Sequence, residues 1–179
     1  MRPTTALISL ASVTLLLSAG CERQSQPTAE PVVEATEPTG PAWVLTSEPA
    51  DAQSVSEAKA SATEGEELVI RGRIGGRKEP IAGASPVFTI VDLALPHCGE
   101  NPADRCRTPW DYCCETPETI TSNAATVQLV NADGTPFAGD PIAAGLNPLD
   151  EVVVVGRVGP RPTADVLTLL VSGVYRVEN

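Results

Sequence analysis

The chain has 179 residues, enough for one domain of ordinary size, and carries 12 basic against 23 acidic residues for a net charge of −11. Such a balance repels polyanions, so a general nucleic-acid binder is excluded, and 3% aromatic content leaves few platforms on which single-stranded bases could stack.

The N-terminus has one early positive charge, Arg2, and then the apolar run ALISLASVTLLL at 6–17. That run has the length of a secretory h-region and is short for a membrane span. It leads into LSAGC at 17–21. These residues resemble the lipobox of bacterial lipoproteins. The resemblance implies cleavage ahead of Cys21 and a thioether-linked diacylglycerol on that cysteine, usually with an N-acyl chain as well. Each buried methylene adds ~0.8 kcal/mol of membrane affinity, so two or three chains make a firm anchor. In that family an aspartate after the cysteine is associated with inner-membrane retention. Glu22 here is the weaker cue and leaves the outer membrane, facing the periplasm, as the expected site in the bacterial cell envelope. The membrane is then the first expected partner.

Residues 22–64 read as a tether. The stretch QSQPTAEPVVEATEPTGP and the polar run after it hold too little apolar mass to offset the entropy of ordering a backbone. Fully extended, the segment reaches about 140 Å. Two features interrupt it. The apolar triplet at 43–45, Trp-Val-Leu, is expected to dock on the domain as an extra strand. Residues 54–62 can form a turn or two of helix, but with no evident apolar face.

The domain is expected at 65–179 and is read as all-β. Five strands are predicted, at 66–74, 87–93, 126–131, 151–158 and 166–177, with single helical turns at 119–125 and 142–146. Along the first, Leu68, Ile70 and Ile74 share one face and Arg71 and Arg73 the other. Gly72, Gly156 and Gly173 interrupt strands and mark bulges or close backbone approaches. The segments ELVIRGRIG, PVFTIVDLA, TVQLVNADGTPF, LDEVVVVGRVG and LTLLVSGVYRV resemble bacterial OB-fold domains. The resemblance covers 65–179 and implies a small five-stranded barrel, here with a cysteine-rich insertion between strands two and three. It implies a fold, not an activity.

The insertion, HCGENPADRCRTPWDYCCETPE at 97–118, contains the only histidine and four of the five cysteines. With Cys21 consumed by lipid, Cys98, Cys106, Cys113 and Cys114 remain, an even number in an exported chain, and disulfides are the expected state. Bonding Cys113 to Cys114 would close a strained ring, which leaves two pairings open: Cys98–Cys113 with Cys106–Cys114, or Cys98–Cys114 with Cys106–Cys113. The alternative is a metal or thiol-redox centre drawn from His97, Cys98, Cys106, Cys113 and Cys114. The ligand types suit zinc or copper, but the spacing C-x7-C-x6-C-C lacks the usual C-x2-C knuckle. No C-x-x-C redox pair is present, and nearby Asp111, Glu115 and Glu118 disfavour a thiolate.

No nucleophile elbow or phosphate loop occurs, and neither a catalytic residue nor a cofactor is expected. The leading surface signal is basic. Arg71, Arg73, Arg77 and Lys78 lie close in sequence, and Arg105 and Arg107 sit in the insertion beside Trp110 and Tyr112. If the insertion folds over the first hairpin, these residues line one patch. The expected function is a non-catalytic envelope lipoprotein that binds a protein or an anionic ligand such as a glycan or lipid headgroup. A metal-handling or thiol-redox protein is the alternative.

Overall fold

The computed structural model describes residues 41–101 and 103–178. The signal, the lipobox and Cys21 lie outside the described residues.

Among the described residues, six strands and two short helices follow in chain order: β1 (Gln53–Ser54), α1 (Val55–Ser61), β2 (Glu67–Ile74), β3 (Val87–Val91), α2 (Pro117–Asn123), β4 (Ala124–Leu129), β5 (Glu151–Val158) and β6 (Thr168–Arg176). The last five strands close a barrel in the order β2-β3-β4-β6-β5 and back to β2. All pairs are antiparallel except β4 with β6. Counting the barrel strands alone as one to five, the order is 1-2-3-5-4-1, the connectivity of an OB barrel. The expected all-β, OB-like fold is therefore what the chain adopts. One detail differs. Because β1 precedes the barrel, the cysteine-rich insertion lies between the third and fourth strands in chain order, β3 and β4, not between the second and third.

Period-two alternation builds the core. On β2, Leu68, Ile70 and Ile74 point inward and are buried, while Arg71 and Arg73 face out. Phe88 and Ile90 on β3, Val127 and Leu129 on β4, Val152 and Val154 on β5, and Leu169, Val171 and Val174 on β6 complete the interior. A β-bulge separates Val155 from Gly156 opposite β6. A Cβ at Gly156 would stand 2.4 Å from the Leu170 carbonyl oxygen, so only glycine fits this close crossing.

The folded body begins earlier than residue 65. The backbone at Val44 bridges in parallel to Val174, and the amide hydrogen bonds Leu45 N–H to Val174 O (2.8 Å) and Val174 N–H to Trp43 O (2.7 Å) hold it there. Trp43 is 3% exposed and meets Phe137 edge-on, with ring centroids 6.2 Å apart. The expected docking of 43–45 is thus present, beside the stretch of β6 beyond its pairing with β4.

Helix α1 also belongs to the body, against the expectation that 54–62 has no apolar face. Val55, Ala58 and Ala62 recur at helical spacing and enter the main core. Their small size hides the stripe in the sequence. Ser54 caps the helix in a capping box with Glu57. Asp92, buried at the end of β3, accepts hydrogen bonds from the Ser56 N–H (2.8 Å) and hydroxyl (2.6 Å), and its second oxygen accepts the Ala94 N–H. At the other end of α1, Arg161 donates to the carbonyls of Lys59 and Ala62, and Lys59 donates to those of Thr121 and Ala124. Residues 41–64, expected to belong to the tether, thus contribute to the barrel's packing.

Candidate functional site

The insertion runs over 92–123, from the end of β3 to the start of β4. Its anchor is Tyr112. The residue is fully buried and packs with Val91, Leu95, Ile120 and Ala124 in a small second core. Its backbone lies in the left-handed region (φ 57°), ending a one-turn 3-10 segment at Pro109–Asp111. The flanking chain is sewn to the loop after β2. Gly76 N–H donates to Trp110 O (2.8 Å), and the Trp110 indole N–H donates to Lys78 O (3.0 Å). Gly75 allows this approach, since a Cβ there would stand 2.8 Å from both the Trp110 carbonyl oxygen and the Tyr112 ring. The insertion does fold over the first hairpin.

The left-handed turn at Tyr112 brings Asp111 and Cys113 together. Asp111 Oδ1 accepts the Cys113 N–H (2.9 Å) and its Oδ2 accepts the Thr108 hydroxyl (2.7 Å). Cys98 reaches the same point from the incoming arm, fixed by its N–H to Pro109 O (3.3 Å). The sulfur of Cys113 lies 3.4 Å from that of Cys106 and 3.7 Å from that of Cys98. One donor atom each from Cys98, Cys106, Asp111 and Cys113 falls within 4.8 Å of the others. Four donors arranged tetrahedrally at about 2.3 Å from one ion stand about 3.8 Å apart, so this set has the dimensions of a metal centre.

Cys98, Cys106, Cys113 and Cys114 carry no S–S bond in this structure. Cys113 stands between Cys98 and Cys106, its partner in one and the other of the two pairings left open, at distances beyond the ~2.05 Å of an S–S bond. The alternative metal set also changes membership. His97 stays outside; its Nδ1 accepts the Gly99 N–H (3.0 Å) and its Nε2 faces Glu100 at 3.7 Å. Burial and the nearby Arg73 charge hold His97 below the ordinary imidazole value, with Glu100 opposing. Cys114 lines a neighbouring cavity together with Cys98 but does not join the four-donor set. Asp111 joins the donor set in their place, a residue that sequence reasoning did not count among the candidate ligands. The available signal was its position two residues before Cys113, where an aspartate accepts the N–H two positions on and turns back toward it.

Electrostatics distinguish the thiols. Burial pushes the Cys98 thiol up, but the Cys114 N–H and the neighbouring thiols outweigh it and hold the group below the ordinary thiol value. Cys113 is pushed up by Cys106, Cys98 and Asp111, and Cys114 chiefly by Cys98. The cluster thus favours one thiolate at Cys98 and resists accumulating more without a compensating cation.

The basic patch does not assemble as expected. Arg71 pairs with Glu48 (2.8 Å) and Glu151, and Arg73 pairs with Glu100 (3.2 Å). Tyr112 is inside the protein and offers no surface to a ligand. Arg77, Lys78, Arg105 and Arg107 remain exposed, and Trp110 is half-buried. Lys78 acts through space on Asp111 and helps hold that carboxyl low.

No protein-family model matches the chain, and no curated protein matches it. Among solved structures, the hypothetical protein ygiW from E. coli aligns with 14% identity over 77% of this chain and 99% of its own, with a TM-score of 0.37. Aspartyl tRNA synthetase from Entamoeba histolytica aligns with 9% identity over 78% of this chain, with a TM-score of 0.43, and this chain spans 26% of its length.

Proposed function

We propose that this protein is a lipid-anchored component of the bacterial envelope whose OB-like barrel holds out a thiol-rich metal site. The observation that supports the reading is the convergence of Cys98, Cys106, Cys113 and Asp111 within 4.8 Å. Three sulfurs select a soft or borderline cation, zinc or cuprous copper, over calcium or magnesium. Ion binding displaces thiol protons and supplies the positive charge that the cluster otherwise lacks. The exposed Arg77, Lys78, Arg105 and Arg107 then serve as counter-charge around an anionic metal–thiolate centre, in place of the ligand patch first expected. The lipobox at 17–21 supports attachment through Cys21, with Glu22 favouring the outer membrane.

The competing reading is two disulfides, favoured by the even thiol count of an exported chain and by the 3.4 Å approach of Cys106 to Cys113. Cobalt substitution separates the two. Thiolate-to-cobalt charge-transfer absorption in the wild type, lost in Cys106→Ser and Cys113→Ser, supports the metal site. Its absence from a chain that does not alkylate without reductant supports the staples. Anchoring is tested separately by fractionation, with Cys21→Ala expected to move the protein out of the membrane fraction.

A further inference from the structure

We infer that Cys114 is the exchange thiol of this centre, the group through which a soft cation enters and leaves. The inference rests on the metal-binding reading above. Cys114 follows Cys113 directly but opens onto different space: a cavity of about 320 Å³ whose walls include Pro96, His97, Cys98, Asp104, Cys114 and Glu115. Cys98 is common to both places. Its sulfur lies 3.7 Å from Cys113 in the cluster, yet Cys98 also lines the cavity together with Cys114.

The two sulfurs differ in access. Cys98 is 4% exposed, whereas Cys114 faces solvent. An ion held by Cys98 is therefore one sulfur away from an exposed outer donor. Asp104 and Glu115 give the cavity wall a negative bias that gathers cations. Thiolate-bound ions exchange by association: the arriving sulfur bonds before another departs. Cys114 gives up its proton to water as its sulfur bonds the ion. The thiolate that is released takes up a proton from water, and no electrons change hands. With Cys98 retaining its bond throughout, the ion passes between cluster and cavity without being set free.

The test uses the full chain loaded with zinc and challenged with excess of a chromophoric pyridylazo chelator in a stopped-flow instrument. Cys114→Ser is expected to keep one ion per chain and to release it at least tenfold more slowly than wild type. Cys106→Ser, which removes a resident donor, is expected to lose the ion. Release from Cys114→Ser at the wild-type rate overturns the inference and leaves the metal-binding reading intact. So does loss of the ion from Cys114→Ser at equilibrium, which would make Cys114 a resident ligand. A wild-type chain that takes up neither zinc nor cuprous copper overturns both, and is recognised before any rate is measured.

Discussion

Tyr112 and Asp92 do different work on the two sides of the insertion. Tyr112 turns the backbone so that Asp111 and Cys113 meet. Asp92 ties the end of β3 to the first turn of α1 through hydrogen bonds to Ser56. Burial pushes the Asp92 carboxyl up, but the Ser56 and Ala94 donors outweigh it and leave it below the ordinary value. A depressed folded value means the ionised form is the one that stabilises. The contribution is fully present above the unfolded value of about 3.9 and is lost as pH falls through the lower folded value. Asp92→Asn is expected to cost about 1.5–3 kcal/mol at neutral pH, the range for hydrogen bonds to a charged group. Denaturant melts across pH should show a constant gap between variant and wild type above about pH 5. The gap should close as pH falls below about 3.9 and through the lower folded value; one that persists beyond it would assign the effect to shape, not charge. At this scale the sequence was least legible. The partners of Arg71 and Arg73, namely Glu48, Glu151 and Glu100, are 23 or more positions away, so the cancellation of the patch was invisible in a local run of bases.

The barrel strands were legible because alternation of apolar and polar residues registers directly in a sequence, and β5 was read to the residue. Ahead of β2, the docking of 43–45 was legible in its apolar triplet, but the buried face of α1 was not, for a physical reason. That face is made of Val55, Ala58 and Ala62, too little apolar mass to stand out in an acidic stretch. Its burial is nonetheless complete: Val55 and Ala58 are wholly enclosed. Trp43→Ala is expected to cost about 3–5 kcal/mol, read from urea melts. Stability equal to wild type would return 41–45 to the tether. Glycines at close crossings are open to the same assay. Gly156→Val places side-chain carbon against the Leu170 carbonyl, and a loss of about 1–3 kcal/mol is expected. Gly134→Ala probes a different cost. It sits at φ 81° in open space, so only backbone strain opposes a side chain there, and a smaller loss of about 1 kcal/mol is expected.

For the whole molecule, a rigid barrel, an acidic surface and one cluster of thiols on a long insertion form a consistent design. The barrel fixes the ends of 92–123 so that three sulfurs and a carboxylate meet from distant positions. The elements of that cluster were all in view in the sequence, but its membership was not. Spacing rules for zinc knuckles describe thiols that share one turn, whereas here Tyr112 and the Gly75–Gly76 contact fold separate turns onto one point. The central claim is that these thiols hold an ion. Intact mass of the purified full chain measures it most directly, taken once under native conditions and once after denaturing alkylation without reductant. The account predicts one zinc or copper ion per chain under native conditions, and alkylation of Cys98, Cys106, Cys113 and Cys114 once the chain is denatured. A metal-free native mass with none of the four alkylated would contradict it and establish two disulfides instead.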